Sequence, residues 1–118
     1  KAPQGMITDV FCKIVNGELS SEGIVYQDDD FIVKKDITPQ APVHVIIFPK
    51  SHVFGMHDAT ADMLGKAMVL VDKIAQQLGI AEKGYRLIMN EGEYGGKLVP
   101  HLHIHLLGGK KLGSKIVR

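Results

Sequence analysis

Tryptophan is absent from this 118-residue sequence, cysteine occurs once, and aromatic residues make up only 6%. A single cysteine, Cys12, excludes an internal disulfide framework and leaves nothing for a Cys-based zinc site. Its expected role is buried packing. No stretch approaches the ~20 apolar residues that cross a bilayer, so no membrane partner is expected. The charge is equally unremarkable: 14 Lys and Arg against 13 Asp and Glu leave a net +1. A balance so close to zero argues against nucleic acid or a membrane surface as the main partner. No basic segment, apolar core and cleavage site open the chain. It begins at Lys1, which constrains the compartment only weakly, and the expectation is intracellular, cytoplasmic.

What is present is an ordinary globular balance, with 45% apolar and 23% charged residues in a length that suits one domain. Residues 1–8 read as a loose tail. Asp9 reads as a helix N-cap, followed by Val10, Phe11, Ile14 and Val15 at helical spacing and a stop at Asn16-Gly17. Two extended runs, 24–26 and 31–33, flank a turn at Asp28-Asp29-Asp30. Residues 38–42 (Thr-Pro-Gln-Ala-Pro) form a rigid loop before a strand over 43–48 that Pro49 ends. From Ala61 to Leu78 the apolar positions recur every three or four residues, and Gly79 closes this helix. Strands over 85–89 and 101–107 complete the chain, separated by a glycine-containing loop. Consecutive strands with one main helix point to an α+β domain with antiparallel pairing.

The informative segment is Pro100-His101-Leu102-His103-Ile104-His105-Leu106-Leu107, which holds three of the six histidines at alternate positions. In a strand, a period of two puts all three imidazoles on one face, ~6.6 Å apart, and buries Leu102, Ile104 and Leu106 on the other. A single strand histidine usually has no chemical task. Three on one face titrate near neutrality and pack badly against one another, so they mark a site. Two chemistries fit: a three-histidine metal site, or phosphorus chemistry with one imidazole as nucleophile and its neighbours as donors. Spacing does not separate them. No carboxylate follows closely in the strand, and His44 and His52 are distant in sequence.

The surroundings favour phosphorus. Gly95 and Gly96 can turn backbone N–H groups toward phosphate oxygens, although a plain turn is as good a reading. Asn90 suits a turn cap or a phosphate donor. Asp36 suits a turn cap or two acceptor oxygens for a ribose diol. His44 lies in an apolar run, where a satisfied core histidine is the default.

Together, Thr38-Pro39-Gln40-Ala41-Pro42-Val43-His44, Asn90-Glu91-Gly92, Gly95-Gly96 and the run from His101 to Gly109 closely resemble the histidine triad superfamily, in its Hint branch of nucleoside phosphoramidases. The likeness runs from about Asp9 to Gly113, giving a single domain over 9–113 with tails at 1–8 and 114–118. It implies a five-stranded antiparallel sheet with one long and one short helix, in a homodimer whose sheets join edge to edge. It also implies hydrolysis of purine nucleoside 5′-phosphoramidates and acyl-adenylates, releasing AMP or GMP, with no metal or cofactor.

By the same resemblance His103 is the nucleophile, and His101, with His44 behind it, handles the proton given to the leaving amine. His105 donates to a non-bridging oxygen together with Asn90 and the Gly96 amide. Asp36 holds the ribose beside Ile37. Phe11, Ile14 and Leu19 form part of the purine slot. Lys97 and Leu98, next to the phosphate, depart from the glutamine and polar residue usual there, and Lys34 replaces an apolar residue near the base. The tail carries no tryptophan.

Gly108-Gly109 points away from the dinucleoside polyphosphate hydrolases, and His105, where transferases carry glutamine, points to hydrolysis. Three alternatives stay open: a dinucleoside polyphosphate hydrolase, a purine-nucleotide-binding or partner-docking dimer with little catalysis, and the three-histidine metal site.

Overall fold

The computed structural model describes residues 10–17 and 22–114. Asp9 and Leu19 lie outside the described residues. Helix α1 (Val10–Val15) is followed by β1 (Ile24–Gln27), β2 (Phe31–Lys35) and β3 (Val43–Pro49). A 3-10 turn (Met56–Asp58) leads into α2 (Ala61–Gln77), and β4 (Tyr85–Ile88) and β5 (Ile104–Gly108) complete the domain. The strands form one antiparallel sheet in the order β1-β2-β3-β5-β4. This is the expected five-stranded α+β arrangement with one long and one short helix.

Local chemistry sets the element ends. Asp28 makes the β1–β2 turn by accepting the Asp30 and Phe31 N–H groups on Oδ1, each at 2.8 Å. Thr60 caps α2 by accepting the Met63 N–H at 3.1 Å. At the other end Gly79 takes φ +75°, a left-handed turn that glycine makes without strain.

Alternation along the strands sorts the two faces. Phe31, Val33, Val45, Ile47, Ile104 and Leu106 pack with Ala67, Leu70, Val71, Ile74 and Ala75 of α2. On the opposite face Ile32 and Phe48 pack with Phe11 of α1, bordered by Ile14 and Ile46. Ile74 and Leu106 are fully buried, and each such side chain contributes about 1.5–3 kcal/mol of hydrophobic stabilisation. His44 shares the α1 face, two residues before Ile46. Diagonally across the ladder from it stands His105, which pairs with Ile46 while His44 pairs with Leu107.

The boundary that differs most from expectation is the start of the last strand. It begins at Ile104, not His101. The Leu102 N–H leaves the ladder and donates to the Val53 carbonyl at 2.6 Å, while the His101 N–H turns back to Val99 at 2.8 Å. Leu102 and Ile104 are still buried at 2% and 3%, so the predicted alternation survives although the hydrogen bonding changes.

Candidate active site

Each histidine of the triad is held by a different partner, and the partners fix which nitrogen carries a proton. His103 Nδ1 lies 2.7 Å from the carbonyl of His101. A carbonyl only accepts, so Nδ1 carries the hydrogen, and in the neutral ring Nε2 holds the lone pair. The His103 ring stands 5.1 Å from Phe11 and 5.3 Å from His105, and Phe11 is itself stacked on Phe48 at 4.5 Å.

His105 and His44 form a pair. His44 Nδ1 accepts the Gln40 backbone N–H at 3.0 Å, which leaves the hydrogen of the neutral ring on Nε2. That Nε2–H lies 2.9 Å from His105 Nδ1 and 3.3 Å from Asp36 Oδ2. With His105 Nδ1 accepting, the His105 hydrogen sits on Nε2. The bond order along the Pro-rich loop and two strands thus runs Gln40 to His44 to His105. Burial, and then the neighbouring His103 and His44, push His105 below the usual histidine range, and Asp36 opposes them from 3.7 Å.

His101 has a different environment from the one expected. It is fully buried, and its Nε2–H donates to the Pro49 carbonyl at 2.9 Å. It lies edge-on to Phe11 and Phe48. His44 does not stand behind it but is bonded to His105. The structure therefore does not bring His101 and His44 together; it brings His44 to His105.

Asp36 makes the turn cap, one of the two readings offered for it. Oδ1 accepts from the Thr38 N–H at 2.8 Å and from its hydroxyl at 3.2 Å, capping the turn. Oδ2 faces His44 and His105 with a lone pair still able to accept. Ile37 beside it is 88% exposed.

The glycine loop forms the plain turn, one of the two readings offered for it. The Gly96 N–H donates to the Glu93 carbonyl at 3.0 Å, closing a turn instead of facing outward. Asn90 Nδ2 donates to the Gly95 carbonyl at 2.6 Å and keeps a second hydrogen. Lys97 is held within its own loop: its ammonium pairs with Glu91 at 2.9 Å and donates to the Phe54 carbonyl. Leu98 is 93% exposed. Lys34 turns to the Glu22 carbonyl at 2.5 Å.

His44, His105 and Asn90 open on one cavity of about 400 Å³, also lined by Gln40, Arg86 and Lys110. Arg86 and Lys110 were not anticipated, because a strand arginine and a lysine just after the last strand carry no motif. Two donor sets among the described residues have the composition to hold a metal ion. In the Asp36–His44–His105 set, the Gln40 N–H holds His44 in the tautomer that keeps a hydrogen on Nε2, which disfavours coordination there. In the other, Cys12 Sγ lies 2.9 Å from His52 Nδ1 and 3.7 Å from His101 Nδ1. Cys12 is therefore part of a polar cluster and not simple packing, which corrects the expectation that it offered nothing to a metal site.

A family model for the HIT domain matches residues 18–112. The chain belongs to the HIT family. As in its relatives, it is a hydrolase. It is 48% identical over 110 residues to a purine nucleoside phosphoramidase of Escherichia coli (strain K12), covering 91% of this chain and 92% of that protein. Among solved structures, a HIT family hydrolase from Clostridium thermocellum superposes with a TM-score of 0.85 at 49% identity, covering 92% of this chain and 96% of the other. A histidine triad protein from Clostridium difficile gives 0.84 at 40% identity, covering 90% and 94%. No helix among the described residues is long and apolar enough to cross a membrane.

Proposed function

We propose that this HIT hydrolase cleaves the P–N bond of purine nucleoside 5′-phosphoramidates, and the acyl–phosphate link of acyl-adenylates, through a covalent nucleotidyl-histidine on His103. One observation carries the reading: the His101 carbonyl holds the His103 Nδ1–H, so Nε2 presents a lone pair as a neutral nucleophile. The purine class is suggested by the name of the Escherichia coli relative.

In the first step Nε2 bonds to the α-phosphorus and the P–N bond breaks. The His44–His105 pair, beside the Asp36 carboxylate, takes up a proton from solvent and passes it to the departing amine. In the second step water attacks the N–P bond, the nucleoside monophosphate leaves, and the water's proton returns to the pair. The second Asn90 amide hydrogen is a donor for the phosphoryl oxygens, with Arg86 and Lys110 adding positive potential to the cavity. The free lone pair on Asp36 takes a ribose hydroxyl, and Phe11 and Ile14 line the base slot.

The functional unit is a homodimer, with β4 as the joining edge. It is an edge strand whose Tyr85 and Leu87 are 36% and 38% exposed. A second reading, a purine-nucleotide-binding dimer with little catalysis, is favoured by the Gly96 N–H being spent within its own turn and by the apolar Leu98 beside it. Turnover of adenosine 5′-phosphoramidate separates the two. Tight AMP binding without turnover across several leaving groups selects the second.

A further inference from the structure

The loop joining β4 to the triad segment is braced by a contact that the chemistry above leaves unused. Lys97 Nζ lies 2.9 Å from Glu91 Oε1 and also donates to the Phe54 carbonyl, with only 11% of its side chain exposed. Glu91 opens the loop, Lys97 closes it, and Phe54 belongs to the segment after β3. One ammonium therefore shuts the loop on itself and ties it to a second part of the fold. The Lys97 hydrogen bond holds the Glu91 carboxyl below the usual range against partial burial, and a bond from the Met56 backbone adds to it. The neighbouring Gly55 leaves the room this requires. A Cβ there would come within 2.6 Å and 2.7 Å of the two Glu91 oxygens and 2.9 Å of the ammonium.

The brace acts on one donor of the proposed phosphate site. Asn90 directly precedes Glu91, and its side-chain amide is held by the Gly95 carbonyl inside the braced loop. Where Gly95 sits fixes where the second Asn90 hydrogen points.

We infer that Glu91 and Lys97 are positioning residues, whose ion pair, seated against Phe54 and Gly55, holds the Asn90 amide in place to receive the nucleotide phosphate. The inference rests on the phosphoramidase reading. Lys97 thereby serves the nucleotide without touching it. A loop ordered before binding spares the entropy that a loose one loses on binding. The His44–His105 pair is held by the Pro-rich loop, β3 and β5, and His103 by the His101 carbonyl, all outside the 91–97 loop, so loss of the brace falls on KM and leaves kcat nearly intact.

The test compares kcat and KM for adenosine 5′-phosphoramidate in wild type, Glu91→Gln, Lys97→Met, Lys97→Arg, Gly55→Ala and the Glu91→Gln/Lys97→Met double variant, with melting curves for each. The expected result is a rise of about 10-fold in KM for Lys97→Met and Gly55→Ala with kcat within about twofold. Lys97→Arg retains most of the affinity, and the double variant is no worse than Lys97→Met alone. Glu91→Gln keeps the shape of the partner and reports on the charge even where Lys97→Met folds poorly. Folded variants with wild-type KM, losses confined to kcat, or effects that multiply in the double variant overturn the brace. Failure of the phosphoramidase reading looks different, because the wild type itself then gives no turnover.

Discussion

His44 Nε2 and His105 Nδ1 stand 2.9 Å apart, diagonal neighbours on the same face of β3 and β5, although 61 residues separate them. Because the Gln40 N–H occupies the other nitrogen of His44, the direction of this bond is fixed, and His105 presents its own N–H to the cavity. Replacing His44 by Phe removes the proton pair while keeping a ring. The expected outcome is a fall of about 10²–10⁴ in kcat with little change in AMP affinity, read by steady-state kinetics and calorimetry.

The same pair sets a pH dependence. Burial and the adjacent rings lower the His105 pKa in the folded protein. The unfolded chain, with an ordinary histidine near ~6.5, binds the proton first as pH falls. Stability from this group is complete above the unfolded value and declines as pH drops from there to the folded value. Melting temperatures between pH 7.5 and 5 check this, and the acid-side slope attributable to His105 should disappear in His105→Asn.

Much of this site is legible in the sequence, and the reasons are local. Alternation places His101, His103 and His105 on one face because Leu102, Ile104 and Leu106 must all be buried. The two helices and five strands follow from apolar spacing, with Asp28 at the β1–β2 turn and Gly79 closing α2. The misread features depend on contacts between distant segments. The strand start at Ile104 is decided by the Val53 carbonyl and the seclusion of His101 by the Pro49 carbonyl. The cluster of Cys12 with His52 spans forty residues without a spacing signal. Lys97 reads as a phosphate neighbour by position, yet its ammonium is claimed by Glu91 and Phe54.

The core predicts a purely energetic effect. Ile74 is fully buried where α2 meets the sheet. Ile74→Ala should cost about 2–5 kcal/mol of unfolding free energy, measured by urea titration, on the face of the sheet opposite the triad.

The β4 edge predicts an assembly effect. Leu87→Lys, at an exposed apolar position on that strand, should shift the protein from dimer to monomer in sedimentation analysis. A wild type that sediments as a monomer at micromolar concentration would remove the proposed dimer.

The nucleophile is tested most directly by quenching the enzyme during turnover of adenosine 5′-phosphoramidate and locating the nucleotidyl group by mass spectrometry. An adenylyl group on the peptide containing His103, absent from His103→Asn together with turnover, is the predicted result. Undiminished turnover by His103→Asn, or a nucleotidyl group on any other residue, would contradict it.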